Sequence, residues 1–253
     1  MKALIFGDKG YIANSIFFDK VKSFEAILLD KKTINQKKKF NKKVDLIIHT
    51  LGANKFISKK NKNSTLKSKQ QITLDLVNFA KRNKIKKIVY ISSTNIYKNN
   101  KKKFNLEDPY ISAHIVAENI LKKYANSNLK IMILRTSHFF GLRDTIKSKG
   151  KFLSVGNQFI KYAFRRKKFI LKNNNAKINI LPFKYFINKI SKLLFFKSFF
   201  VKKDILFLEI RLDIFLKYLS DFVTLKTSLS PISYLDSGKI LQLKKTKFFD
   251  KMN

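Results

Sequence analysis

The chain has 253 residues, with 55 Lys and Arg against 16 Asp and Glu, a formal net charge of +39, and no cysteine. This length suits one large α/β domain, while the lack of cysteine excludes disulfides, thiolate chemistry and cysteine metal sites. The sequence holds no uncharged apolar run long enough to span a membrane, and its first strand follows Met1 directly without a cleavable leader, so we expect a cytoplasmic protein.

The net charge raises the question of nucleic acid or anionic membrane as a partner. The lysines are spread along the whole chain among Asn, Ile and Phe residues, a mixture typical of AT-rich coding sequence. We therefore interpret the charge as background that attracts polyanions non-specifically at low salt. We expect no specific nucleic-acid partner, and a polyanion-binding protein stays the less favoured alternative.

An apolar strand at residues 3–6 runs at once into a glycine turn. Gly7 and Gly10 stand three apart, and Ala13 takes the third small position of a G-x-x-G-x-x-G pattern. Such a turn between a strand and a helix start lets a phosphate approach backbone N–H groups. We predict a dinucleotide cradle formed by Gly7, Gly10, Tyr11, Ile12 and Ala13, with an ordinary turn as the alternative.

Strand and helix patterns then alternate along the chain. We predict helices at residues 14–22, 68–83, 109–124, 150–166, 183–196 and 211–223, strands at 24–30, 85–92 and 129–134, a strand from 44 to the turn at Gly52, and connections at 31–43 and 54–67. Pairs of about 30 residues favour right-handed βαβ units in a doubly wound parallel sheet. We predict a single Rossmann-type α/β domain over residues 1–253, in which about 142–253 contribute a small substrate-binding cap.

Two further residues are candidates for binding the cofactor. Asp30 ends the second strand, where a carboxylate accepts hydrogen bonds from the adenosine ribose of a dinucleotide, or is simply a turn residue. Lys31 and Lys32 follow it and would suit a 2′-phosphate, so the pattern leaves NAD and NADP open. Gly52, in the turn after the third strand, is assigned to the same cofactor site.

The residues that carry chemistry follow the fourth strand. Ser93 is a hydroxyl at a strand end, Tyr110 opens the next predicted helix, and His114 lies one helical turn later on the same face. We predict that these three meet at one edge of the sheet, and the family resemblance described next implies that they are catalytic residues. The alternatives are a turn cap, a surface aromatic residue and a solvated histidine.

Together these residues resemble the extended short-chain dehydrogenase/reductase family, which includes NAD-dependent nucleotide-sugar epimerases, dehydratases and dTDP-4-dehydrorhamnose reductase-like enzymes. The matching motifs occur in order over about residues 1–190: the glycine turn, Asp30, residues 45–49, Ser93 with Tyr97, Tyr110 with Glu118, and residues 134–141 and 178–183. The resemblance implies NAD or NADP as cofactor, a nucleotide sugar as substrate and a homodimer. It also implies that Tyr110 is the general acid/base for a hydroxyl or keto oxygen of the sugar, and that Ser93 hydrogen-bonds this oxygen.

The resemblance places Arg135 and Arg143 on the substrate side, where an arginine clamps a diphosphate or is a surface charge. No Cys and no close acidic or His cluster accompanies His49 or His138, so we expect no metal site.

The chain departs from the family pattern at two positions near the predicted site. His114 stands where the family has a Lys that holds the nicotinamide ribose and lowers the pKa of the Tyr, which is ~10 in a free phenol. Lys69 falls where the family usually has an Asn, and Ile72 replaces a nearby Gly. Two functions follow: an NAD(P)-dependent epimerase, dehydratase or reductase acting on a nucleotide sugar, or an NAD(P)-binding protein of the same fold that has lost turnover.

Overall fold

The computed structural model describes residues 1–19, 24–35, 40, 43–52, 58, 61–97, 108–141, 156–159, 176–217 and 219. The chain forms two compact units: the first contains Met1–Ser137 and Ile187–Ile205, and the second contains His138–Phe186 and Leu206–Asn253. In the described ranges, no helix is both long and apolar enough to cross a membrane.

The first unit is built on a six-stranded parallel sheet. Its strands are β1 (Lys2–Phe6), β2 (Glu25–Leu29), β3 (Leu46–His49), β4 (Lys87–Ser93), β5 (Lys130–Thr136) and β8 (Phe200–Ile205), in the spatial order β2-β1-β3-β4-β5-β8. Strand β2 lies on one side of β1, and the chain then crosses back so that β3 lies on the other side. The strand order therefore reverses at β1. The carboxyl ends of the strands at such a reversal are where α/β sheets bind ligands.

Three helices of this unit connect those strands: α1 (Tyr11–Asp19), α2 (Lys62–Arg82) and α3 (Pro109–Tyr124). Short 3-10 turns follow β2 at Lys32–Asn35 and β4 at Thr94–Ile96. The apolar runs of β1, β3, β4 and β5 are buried almost throughout, as expected for strands covered on both faces. A core cluster is formed by residues from the strands and helices of this unit, among them Phe6, Ile47, Phe79, Tyr90 and Ile133. The predicted doubly wound parallel fold is confirmed.

The second unit contains a three-stranded sheet. Strand β6 (His138–Phe140) pairs in parallel with β7 (Lys177–Pro182), which pairs in antiparallel with β9 (Leu208–Arg211). Its core is aromatic and aliphatic, formed by Phe140, Phe159, Ile180, Phe215, Leu216 and Leu219. Helix α4 (Phe183–Leu193) follows β7. The prediction that residues 142–253 form a substrate cap stays a prediction, since much of that range lies outside the described residues.

Several predicted boundaries differ from those observed. Helix α1 begins at Tyr11 rather than at residue 14, because Asn14 N donates to Gly10 O and the helix follows the glycine turn without a gap. Helix α2 begins at Lys62 rather than at residue 68, so the predicted connection at 54–67 is too long. The buried side chain of Thr65 already belongs to the first turns of the helix. Helix α3 has the predicted bounds, with the side chain of Asp108 accepting from Tyr110 N at 2.9 Å.

Strands β6, β8 and β9 were not expected from the sequence. Strand β8 is an edge strand with exposed Lys202, Lys203 and Asp204, and it lacks the apolar run that marks the inner strands. Arg211 ends β9, which corrects the predicted start of the last helix. Of the predicted helix at 150–166, only residues 156–159 are described.

Candidate functional site

The turn after β1 has space for glycine alone. Gly7 has φ of +127°, in the region that residues with a Cβ rarely adopt. A Cβ there would collide with Thr50 Oγ1, which is held in place by donating to Phe6 O at 2.8 Å. The Gly7 N–H donates to Leu29 O at 3.0 Å, so the turn is tied to both neighbouring strands.

The turn leads directly into the N-terminus of α1. Gly10 N donates to Gly7 O at 2.7 Å, and a Cβ at Gly10 would lie 3.1 Å from that carbonyl oxygen. Ala13 is fully buried beneath the turn, while Tyr11 and Ile12 are half-buried in the first helical turn. Asn14 was missed from the sequence: its side-chain amide donates to Asp8 O and, at 2.9 Å, to Gly10 O, and thereby fixes the loop.

Asp30 follows β2 at the same edge of the sheet. Its Oδ1 accepts from Thr33 N at 2.9 Å and from Thr33 Oγ1 at 2.7 Å. These two hydrogen bonds hold the pKa of the Asp30 carboxyl below its usual value, so it is ionised at neutral pH. Oδ2 takes no part in this turn, which leaves the second oxygen to accept from another donor.

This part of the molecule fits a dinucleotide. A pyrophosphate binds to glycine backbone without side chains at a helix N-terminus. A ribose binds to an anionic residue that follows the neighbouring strand. The observation that supports this fit is the backbone of Gly7: its positive φ and its close contact with Thr50 leave no room for a side chain in the turn. Gly7, Gly10 and the first turn of α1 would hold the diphosphate, and Asp30 the adenosine ribose.

The predicted catalytic residues meet at the carboxyl end of β4. Ser93 is the last residue of the strand and is buried; its Oγ accepts from Asn95 N at 3.2 Å, and it lies beside Tyr110 at the start of α3. Burial raises the pKa of Tyr110; the neighbouring Ser93 hydroxyl opposes this rise and the charge of Asp108 adds to it. Without a ligand, Tyr110 therefore keeps its proton at neutral pH.

His114 lies one turn further along α3 and faces the sheet. Its Nδ1 shares a 2.6 Å hydrogen bond with Tyr90 Oη, and its ring meets the Tyr110 ring edge-on at 4.6 Å between centroids. Burial lowers the pKa of His114 well below its usual value, and the charge of Lys69 lowers it further. The imidazole is therefore neutral at physiological pH. Ser93, Tyr110 and His114 are thus neighbours, while their catalytic roles stay predictions.

Tyr90 is surrounded by three basic side chains, Lys69, His49 and His114, which we call the basic cluster. Lys69 Nζ lies 4.6 Å from the centre of the Tyr90 ring and donates to Leu51 O. The His49 ring stacks on the Tyr90 ring, with 5.0 Å between centroids, and its Nδ1 accepts from Leu51 N at 3.3 Å.

Two members of the basic cluster are almost entirely withdrawn from water, and the third, His114, is half-buried. Lys69 is 5% exposed and His49 is fully buried. Burial lowers the pKa of Lys69 to about 7, and burial together with the Lys69 charge lowers that of His49 well below its usual value. His49 Nε2 has no hydrogen-bond partner among the described residues. The sequence showed Lys69 only as a departure from a family pattern, although its helical spacing to Ile72 and Leu76 places it on the buried face of α2.

Arg135, predicted to bind substrate, is 5% exposed and bonded to other side chains of the protein. Nε and Nη2 donate to the two oxygens of Glu118, and Nη1 donates to Tyr97 Oη. Glu118 also accepts from Ser92 Oγ at 2.7 Å. This geometry favours a structural role, so diphosphate binding by Arg135 stays a prediction that we do not carry further. Arg143 lies outside the described residues.

Comparison with solved structures finds this fold in nucleotide-sugar enzymes. UDP-glucose 4-epimerase from Thermotoga maritima, solved with UDP-glucose, is 16% identical with a TM-score of 0.69, covering 88% of this chain and 82% of that one. UDP-N-acetylglucosamine 4-epimerase from Methanobrevibacter ruminantium is 17% identical with a TM-score of 0.69, covering 89% and 82%. dTDP-glucose 4,6-dehydratase from Streptomyces venezuelae, solved with NAD, is 14% identical with a TM-score of 0.66, covering 87% and 80%.

No curated protein matches the sequence. The model of the NAD dependent epimerase/dehydratase family matches residues 8–175, well over half of the chain and the range that contains Gly10, Ser93, Tyr110 and His114. The fitted glycine turn and this match agree on NAD or NADP as the cofactor. The chain belongs to the NAD-dependent epimerase/dehydratase family.

Proposed function

We propose that this protein is an NAD(P)-dependent epimerase, dehydratase or reductase that acts on a nucleotide-activated sugar. The observation that carries the proposal is the position of Ser93 and Tyr110 as neighbours at the carboxyl end of β4, with the Ser93 hydroxyl beside the Tyr110 phenol. Because all six strands of that sheet are parallel, this pair stands at the same sheet edge as the glycine turn after β1. A hydroxyl pair at the cofactor edge suits proton transfer to or from a substrate oxygen.

The chemistry divides between cofactor and protein. The nicotinamide ring supplies hydride exchange with a carbon of the sugar. When that carbon carries a hydroxyl group, Tyr110 in its phenolate form would accept the hydroxyl proton while the carbon gives up its hydrogen and two electrons as hydride to the oxidised nicotinamide, leaving a carbonyl. In the opposite direction Tyr110 returns the proton to the carbonyl oxygen. Ser93, whose hydroxyl lies beside Tyr110, orients this oxygen by hydrogen bonding.

The substrate class is supported by the family match and by what the related solved enzymes are named for. The Thermotoga enzyme is solved with UDP-glucose and the Methanobrevibacter enzyme with UDP-N-acetylmuramic acid. Both ligands are nucleotide-activated sugars, so we propose that class here. Under this proposal we also expect a homodimer in the cytoplasm.

The first experiment is a titration of the purified protein with NADH and with NADPH, followed by nicotinamide fluorescence and by thermal stability. We expect saturable binding that Gly10→Asp weakens, since an added carboxylate would meet the phosphate and the Gly7 carbonyl. A protein that folds normally and binds neither cofactor would overturn the proposal.

The second experiment screens nucleotide sugars for turnover with wild type and with Tyr110→Phe. Loss of a positioned acid/base typically costs 10²–10⁴-fold, so we expect a loss of about 10²-fold or more in kcat with retained cofactor binding. Tyr124→Phe, at the other end of α3, is the matched control. Cofactor binding without turnover of any sugar would identify the protein as a family member that has lost catalysis.

A further inference from the structure

We propose that this protein attaches to the surface of an anionic lipid bilayer through the amino edge of its six-stranded sheet. The surface consists of two exposed phenylalanines, Phe195 and Phe199, and three exposed lysines, Lys86, Lys192 and Lys197; we call it the basic aromatic patch. The proposed reaction uses none of these residues, so the inference stands independently of the cofactor and the sugar.

The two phenylalanines of the patch lie in the turn between α4 and β8. The side chains of Phe195 and Phe199 are 59% and 61% exposed, and they are two of only four large apolar side chains that stand exposed in the described part of the chain. Single exposed apolar residues are ordinary, whereas a pair in one short turn favours an interaction surface.

This turn is anchored on its inner side by Lys87. The Nζ of Lys87 donates to Leu194 O at 3.3 Å and lies 5.3 Å from the centre of the Phe196 ring. Leu194 is fully buried and Phe196 is half-buried. These two residues face the protein while Phe195 and Phe199 do not, so the exposure of the two rings belongs to an ordered turn.

The lysines of the patch come from two parts of the chain that the fold brings together. Lys192 lies in the last turn of α4 and Lys197 in the turn that follows, while Lys86 directly precedes β4. The amino ends of β4, β5 and β8 lie side by side at this edge of the sheet. Positive charge therefore borders the two exposed rings from the helix and from the neighbouring strand.

No carboxylate balances these lysines. The segments that meet at this edge contain no Asp or Glu: residues 84–88, 126–132 and 189–203. Within the described ranges, no carboxylate lies at ion-pair distance from Lys86, Lys192 or Lys197. The patch thus combines unpaired positive charge with apolar surface, which complements anionic head groups above an acyl layer.

Charge also decides between the possible partners of the patch. A second copy of this chain would bring lysines against lysines, since a two-fold contact places the same surface on both sides. Nucleic acid would match the charge, but the same three segments contain no Arg, the residue suited to bidentate phosphate binding. A bilayer accommodates both features, because the rings enter the acyl boundary while the ammonium groups stay at the phosphates.

Attachment through the patch leaves the candidate site accessible. Because the strands are parallel, Lys87 begins β4 at the edge with the patch and Ser93 ends it at the opposite edge. A strand of seven residues separates these edges by roughly 20 Å. A protein bound in this way would present the glycine turn and Ser93 away from the bilayer.

The first experiment uses Phe195→Trp as a reporter, since the chain contains no Trp. The emission of the purified full-length variant is recorded with vesicles of phosphatidylcholine alone and with vesicles that also contain about 30% phosphatidylserine. We expect a shift to shorter wavelength with the anionic vesicles only. Phe18→Trp, at an exposed phenylalanine of α1, is the matched control and should show no shift.

The second experiment measures binding to the same anionic vesicles by sedimentation at physiological salt. We expect Phe195→Ser/Phe199→Ser to lower the partition coefficient about tenfold or more, because two rings no longer enter the lipid. Lys197→Glu should lower it about tenfold, whereas Lys67→Glu, the same reversal at an exposed position of α2, should change it less than about twofold. The melting temperature of each variant shows whether it is folded.

Several outcomes would overturn the proposal. Unshifted emission of Phe195→Trp with anionic vesicles would do so, as would equal losses in Lys197→Glu and Lys67→Glu, which would report only the charge of the whole chain. Emission already shifted in the free protein would mean that the chain itself covers the turn. A shift with single-stranded RNA and not with vesicles would assign the patch to nucleic acid. A dimer that dissociates in Phe195→Ser/Phe199→Ser would assign it to a contact between copies.

Discussion

Glu118 receives two parallel hydrogen bonds from Arg135, Nε to Oε1 at 3.0 Å and Nη2 to Oε2 at 2.6 Å. The side chains are 3% and 6% exposed, and Lys202 Nζ approaches the same carboxylate at 3.2 Å. Because Glu118 belongs to α3 and Arg135 to β5, this bidentate pair fixes the helix that begins with Tyr110 against the sheet.

Glu118→Gln removes the negative charge from this pair and leaves the Arg135 charge buried. We expect a loss of about 3–5 kcal/mol in the free energy of unfolding, the usual cost of breaking a buried pair from one side. The matched control is Glu25→Gln. Glu25 lies 3.4 Å from its partner Lys2, but the Glu25 side chain is 78% exposed. Exposed ion pairs contribute about 0–1 kcal/mol to stability. Urea unfolding of both variants measures the difference, and equal small losses would contradict a structural role for the pair.

The pair also predicts how stability depends on acid. Burial raises the pKa of Glu118, but hydrogen bonds from Arg135 and Ser92, with the charges of Arg135 and Lys202, outweigh it and leave the pKa below its usual value. The folded state thus binds the proton less readily than the unfolded state. Stability from Glu118 is present above the ordinary carboxyl pKa and is lost as pH falls through the lowered folded value. Glu118→Gln should show a smaller loss of stability in that acidic range than wild type.

Gly7→Ala tests the turn that receives the cofactor. Gly7 combines a positive φ with a collision of any Cβ with Thr50, whereas Gly141 has φ of +72° and open space around the same atom. We expect Gly141→Ala to cost about 1 kcal/mol from backbone strain alone, and Gly7→Ala to cost clearly more and to abolish NADH binding. Thermal unfolding with and without NADH separates these effects, and unimpaired NADH binding by Gly7→Ala would contradict the cradle.

The sequence was sufficient for the parts of this fold in which pattern and packing agree. The apolar runs of β1 and β4, the glycine turn and the capped helix from Pro109 to Tyr124 were all predicted, because local propensity and burial favour the same structure. Strand β8 was not predicted, since its lysines suit an edge and carry no apolar run. The partners of Arg135 and the contact of Lys69 with Leu51 could not be predicted either, because each depends on residues distant in the sequence.

Asp30→Ser tests the choice between the two cofactors. The Thr33 hydrogen bonds keep the Asp30 carboxylate charged at neutral pH, and a fixed negative charge repels the 2′-phosphate of NADP. We expect the ratio of NADPH to NADH affinity to rise about tenfold. Fluorescence titration of both cofactors gives the ratio, with Asp75→Ser on α2 as a control. An unchanged ratio would mean that the ribose does not meet Asp30.

Lys69→Met tests the cost of the buried ammonium through the pH dependence of stability. Burial lowers the pKa of Lys69 to about 7 from an ordinary value of 10.5, so between these pH values the unfolded state binds more protons than the folded state. Stability of wild type must then rise with pH across this window. Met keeps the length of the side chain without the charge, so the variant should be the more stable protein near pH 7.5. Its advantage should shrink by about 3 kcal/mol by pH 10.

The window is chosen to isolate Lys69 from the other members of the basic cluster. His49 and His114 have lowered pKa values, so both are uncharged above pH 7.5 in the folded state, and free histidine is largely uncharged there as well. Lys67→Met supplies the matched control, because Lys67 is exposed on the same helix. Urea unfolding at several pH values measures all three proteins. A stability difference between wild type and Lys69→Met that stays constant from pH 7.5 to pH 10 would show that Lys69 titrates like an ordinary surface lysine, which would contradict the effect of burial on its pKa.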